Sequence, residues 1–138
     1  MKMHTDGIVT AVILEKGEPI HERLKQVTRE LSLPGAFIKG IGAVKDVALG
    51  FYDKESKAYK ELKVEGPVEL LTLNGDITWE GEDPVIHLHA VIGLEDGSVM
   101  GGHLLGAIIA VTGEIFIHKM GKRLERERVE EFGLSLIK

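Results

Sequence analysis

Residues 85–110 read VIHLHAVIGLEDGSVMGGHLLGAIIA, an apolar, strand-like stretch that holds three of the chain's six histidines. His87 and His89 stand two apart, and in a β-strand residues i and i+2 project from the same face. Asp96-Gly97 is a hairpin turn signal, which makes 85–94 and 99–110 antiparallel partners. Neutral imidazoles gathered on one face suit zinc or another borderline divalent metal, and three leave a fourth position for water or a further ligand. Such a centre can be structural or can activate water. The competing reading is that the three are core or interface histidines satisfied by hydrogen bonds.

Whether His103 joins the pair depends on register. A two-residue Asp96-Gly97 turn pairs Glu95 with Ser98 and Ala90 with His103, which puts His103 on the wrong face. A three-residue loop, Asp96-Gly97-Ser98, pairs Val91 with His103 and returns it to the face of His89. A bulge at Gly101-Gly102, added to the two-residue turn, brings His103 opposite His89. Two of the three registers cluster the imidazoles. Among other groups, Asp76 and Glu69 are the carboxylates best placed to lie near a sheet face, and His118, read as lying on another strand, offers a further contact. His21, beside the apolar stripe of a helix, reads as a partly exposed polar residue.

The elements that must position these groups are mostly strands. GIVTAVILE, residues 7–15, is rich in Val and Ile and reads as a strand. EPIHERLKQVTRELSLPG is the clearest helix: Pro19 suits its first position, Ile20, Leu24, Val27 and Leu31 recur at helical spacing, and Pro34-Gly35 ends it. From Ala36 onward the pattern is β. AFIKGIGAV and DVALGFYD carry Gly40, Gly42 and Gly50, which suggest bends, bulges or close backbone approach. KAYKELKVEG alternates as an exposed strand would, and PVELLTLNGDITWEG carries an Asn74-Gly75 pair that reads as a turn or a bulge. One helix among antiparallel strands, with no βαβ rhythm, is the α+β class.

A chain of 138 residues, 43% hydrophobic and 28% charged, suits one domain, residues 1–138, with a real core. No apolar run is long enough to span a bilayer, no signal-peptide core is present, and there is no cysteine for a disulfide or thiolate site. The expected location is the cytoplasm, with no membrane partner. The net charge of −5 argues against unaided tight DNA binding. The one dense charged run, HKMGKRLERERVEE, interleaves signs like a solvated, salt-bridged surface. No phosphate-binding glycine fingerprint is present, and Ser32, Ser56, Ser98 and Ser135 all lack a nucleophile context.

In their order along the chain, GIGAVKDVALGFYD, GPVELLTLNGDI, PVIHLHAVIGLEDGSVMGGHLLGAIIA and EIFI resemble the PPC (plant and prokaryote conserved) domain in its stand-alone prokaryotic form, from about residue 7 to 117. The resemblance implies an α+β, PPC-like fold: a mostly antiparallel sheet with one main helix near the N-terminus, assembled as a homotrimer. It implies that His87, His89 and His103, in HLHA and GGHLL, are characteristic positions at which a bound metal, zinc by ligand type, is inferred. Members are commonly described as DNA-binding. Plant members carry an AT-hook with an Arg-Gly-Arg core ahead of the domain, and this sequence has none. The expectation is therefore a non-enzymatic, transcription-regulatory module acting through oligomerisation and protein contacts, with a three-histidine metal site. The alternative is a metal-dependent enzyme or small-ligand binder centred on the same histidines.

Overall fold

The computed structural model describes residues 1–138, and its strands run β1 (Lys2–Thr5), β2 (Val9–Glu15), then, after helix α1 (Ile20–Glu30), β3 (Ala36–Asp53), β4 (Ala58–Val64), β5 (Val68–Glu80), β6 (Asp83–Gly93), β7 (Val99–Lys119), β8 (Arg126–Val129) and β9 (Leu134–Ile137). The first seven strands form one antiparallel sheet in the order β1-β2-β7-β6-β5-β3-β4. The fold is α+β, as the sequence predicts. β7 also pairs with β3, so the path β3–β5–β6–β7 returns to its start and the sheet closes on itself. Closure pairs the central strands on both sides and leaves the short strands β1 and β4 as the edges.

Alternation decides what faces inward. In β6, Pro84, Ile86, Leu88, Ala90 and Ile92 are buried while the residues between them look outward. The inward residues of β2, β3, β5, β6 and β7 join Ile20, Leu24 and Val27 of α1 in a core cluster of 23 buried side chains. The helix begins one residue later than predicted: Pro19 is its N-cap, in an extended conformation, and the helix breaks at Leu31 before Ser32 turns left-handed.

The glycine-rich stretch after Ala36 is one continuous strand rather than two, with the predicted irregularity falling between Gly40 and Gly42. Asn74-Gly75 is neither turn nor bulge. It lies in the middle of β5 in regular register, Asn74 opposite His89 and Gly75 opposite Leu88. A Cβ on Gly75 would drive into the backbone carbonyl of His87, so the position needs glycine for close approach. Two elements lack a sequence signal: β1, a short edge strand on β2, and the β8–β9 hairpin, which forms its own two-stranded sheet.

Candidate metal centre

Because the even-numbered residues of β6 fill the core, His87 and His89 project from the outer surface of the closed sheet. On β7, Leu104 is buried and its neighbour His103 therefore faces out as well. The register is decided at the turn. Leu94 N donates to Ser98 O (2.9 Å) and Gly97 N to Leu94 O (2.9 Å), with Gly97 at φ +82°. The loop thus has three residues, as one predicted register had it, but they are Glu95, Asp96 and Gly97, one position earlier. This is a tight turn closed by a left-handed glycine, and Asp96 Oδ1 reinforces it by accepting from the Ser98 backbone N (2.9 Å). From Gly93–Val99 the pairing runs without a bulge to His89 directly opposite His103.

The three rings form a triangle with centroid separations of 5.2, 5.1 and 5.4 Å. One ring nitrogen from each lies within 4.8 Å of the others. Tetrahedral zinc at ordinary Zn–N distances needs ligand nitrogens about 3.4 Å apart, so small side-chain rotations would close the set. Asp76 is the cross-strand partner of His87, and its Oδ2 lies 3.3 Å from His87 Nδ1. Asp76 Oδ1 accepts from Arg126 Nη2 at 2.8 Å. Across the triangle, Tyr59 stacks on His103 with centroids 4.7 Å apart. Gly50, opposite His103, makes room: a Cβ there would stand 2.7 Å from Tyr59 Cδ1.

Electrostatics favour the neutral form of His89 and His103. Burial, then the neighbouring His87 and His89, bring His103 down to about 4. His89 is lowered by burial and by His87. Burial pushes the Asp76 carboxyl up, but its bonds to His87 and Arg126 outweigh this and it ends below its ordinary value. The lone pairs a metal requires are thus available at neutral pH on His89 and His103. His103 Nδ1 is buried and without a hydrogen-bond partner, as a nitrogen built for coordination would be. The donor set and its surroundings fit a divalent metal held by His87, His89 and His103.

The family model of the Plants and Prokaryotes Conserved (PCC) domain matches residues 1–121. This chain belongs to the PCC-domain family. Three solved structures share the PCC fold over 99% of this chain: a "putative DNA binding protein" from Bacteroides thetaiotaomicron (28% identity, 96% of that chain, TM-score 0.95), a plant- and prokaryote-conserved protein from Pyrococcus horikoshii (27%, 93%, 0.88) and a metal-containing protein from Archaeoglobus fulgidus (28%, 95%, 0.86). Among curated proteins none matches this PCC chain.

Of the residues singled out in the PCC sequence, His87, His89, His103 and Asp76 come together. His118 is not on a separate strand but at the far end of β7, tilted against Phe37 with centroids 4.8 Å apart, and Glu69 lines a groove with Ile41, Leu71 and Val111. His21 is half-buried, and its Nδ1 has no partner. Two site residues of the PCC chain escaped the sequence reading. Tyr59 sits in a strand that otherwise alternates as an exposed one. Arg126 lies in the charged run read as solvated surface, yet its side chain is only 7% exposed.

Proposed function

We propose that this PCC-domain chain is a non-enzymatic, self-associating regulatory module, a homotrimer by family resemblance, with one divalent metal, zinc by ligand type, held by His87, His89 and His103. The observation that carries the metal assignment is the convergence of three imidazoles, backed by the carboxylate of Asp76, in a fold shared with a protein named as metal-containing. A metal there would fix the β6–β7 hairpin against its neighbours. Self-association is supported by apolar side chains left in water on the outer face: Ile41, Leu71 and Val111 are 52%, 48% and 68% exposed around one groove.

A structural relative named as a "putative DNA binding protein" supports nucleic acid as a partner. A net charge of −5 favours recruitment through partner proteins over direct phosphate contact. Direct binding predicts a steep loss of affinity with salt, and a flat response in an electrophoretic or anisotropy titration excludes it.

The metal is tested by elemental analysis of protein purified without chelators, beside His89→Ala. About one metal per chain in the wild type and a large loss in the variant support the site; equal content refutes it. A second reading, a small-ligand or catalytic role, is favoured by a cavity of about 240 Å³ that reaches from His87 and His103 to Val85, Leu134 and Leu136. Turnover or ligand binding that requires the metal would select that reading.

A further inference from the structure

The β8–β9 hairpin lies beyond the matched residues 1–121, yet it reaches the histidine cluster. Two four-residue strands bury too little to be stable alone. Their anchor is Arg126. Its Nε donates to Thr78 Oγ1 (2.7 Å), its Nη1 to Ser135 O of β9 (2.8 Å) and its Nη2 to Asp76 Oδ1 (2.8 Å). One buried guanidinium therefore ties both strands of the hairpin to β5. Trp79 N donating to Leu124 O, Ser135 Oγ to Glu80 Oε1 and Lys57 Nζ to the Glu130 carbonyl add further ties.

The same guanidinium borders His87. Arg126 Nη2 lies 3.2 Å from His87 Nδ1, and Asp76 Oδ2 lies 3.3 Å from that atom. Only one of two networks can exist at a time. If Nδ1 accepts from Arg126, Nε2 must carry the proton of the neutral ring and has no lone pair for a metal. If Nδ1–H donates to Asp76, Nε2 is free to coordinate. A guanidinium donates more strongly to a carboxylate than to a neutral imidazole. With Nη2 committed to Asp76 Oδ1, the carboxylate is fixed with Oδ2 toward His87 and the second network wins.

We infer that Asp76 and Arg126 are positioning residues: Arg126 orients Asp76, Asp76 selects the His87 tautomer that ligates through Nε2, and metal affinity is thereby coupled to docking of the C-terminal hairpin. This rests on the metal reading above. Partners of this kind are worth about 10–100-fold in metal affinity. The coupling is reciprocal, so metal loading must protect the hairpin as much as the docked hairpin strengthens the metal.

The test is zinc affinity of the full chain, measured against a chromophoric chelator, for wild type, Asp76→Asn, Arg126→Met and the double variant. The His87 ring tautomer is read by long-range ¹H–¹⁵N NMR, and hairpin amide exchange is followed with and without zinc. Each single variant is expected to weaken zinc about 10–100-fold, with the double no weaker than Asp76→Asn alone, because the two act in series. Zinc is expected to slow exchange of the 126–137 amides in the wild type but not in Arg126→Met. Should Arg126→Met fail to fold, Arg126→Lys keeps the charge and loses the fork, and a weakened zinc affinity is again expected. Wild-type zinc affinity in folded Asp76→Asn, with the Nδ1–H tautomer unchanged, overturns the inference while leaving the metal site standing. A wild type that binds no zinc, or binds it no better than His89→Ala, overturns both.

Discussion

Gly75→Ala tests whether close strand approach sets the site. Gly75 faces Leu88 across β5 and β6, between the cross-strand pairs Asn74–His89 and Asp76–His87. A methyl group there would overlap the His87 carbonyl oxygen and stand 2.9 Å from both its carbonyl carbon and Leu88 Cδ2. Both opposing groups are held, one by the ladder and the other in the core, so relief means moving the strands apart by about 1 Å. Overpacking of this kind costs about 1–3 kcal/mol, and a backbone clash belongs at the upper end. For a chain of this size about 3 kcal/mol lowers the melting temperature by roughly 10 °C. The strand that moves carries His87 and His89, so zinc affinity falls with stability. Thermal unfolding at matched protein concentration, with and without zinc, measures both. The control is Gly106→Ala on β7, where a Cβ meets nothing within 4 Å; its expected change is within about 0.5 kcal/mol. A Gly75→Ala variant as stable as that control, with unchanged zinc affinity, refutes the reasoning.

Three further outcomes follow from the same structure. His103 titrates at about 4 in the fold against 6.5 ordinarily, so between those values the unfolded chain binds more protons. Metal-free stability is thus full above about pH 6.5 and falls as the pH drops toward 4; denaturant titrations across that range check this, and His103→Gln flattens the slope. Trp79→Phe keeps an aromatic ring near Arg123 but removes the buried hydrogen bond from Nε1 to Leu33 O (3.0 Å), and is expected to cost about 1–3 kcal/mol by the same titration. If the chain self-associates through the exposed apolar groove as proposed, Val111→Asp, a charge placed there, lowers the mass in sedimentation or light scattering with little change in the core; an unchanged mass rejects that face as the interface.

Much of the site was legible because it obeys strand parity. His87 and His89 share a face in any β reading, and the core alternation of β6 tells which face. His103 depended on one residue of slip at the turn. Asp96-Gly97 announced a hairpin, but the left-handed conformation of Gly97 places the loop at residues 95–97, a choice made by backbone geometry. Asp76 could be named but not placed, since its pairing with His87 follows from the β5–β6 register. Arg126 was hidden because a burying tertiary contact, not local patterning, takes one arginine out of an otherwise solvated charged run. Gly75 misled for a similar reason: Asn-Gly is a turn signal, and here the glycine answers to a neighbouring strand.

The short turn at residues 95–97 has a consequence for denatured chains. His87, His89 and His103 all lie within residues 87–103, so unfolding separates them by no more than a short loop. Closing such a loop carries a small entropic penalty, and the three imidazoles remain at high effective concentration even in the unfolded ensemble. An unfolded chain that still binds zinc is itself stabilised by it, which subtracts from the protection zinc gives the fold. Zinc should therefore raise the melting temperature by less than its affinity for the folded protein implies. The missing part is a measure of how much of the site survives in the hairpin segment alone.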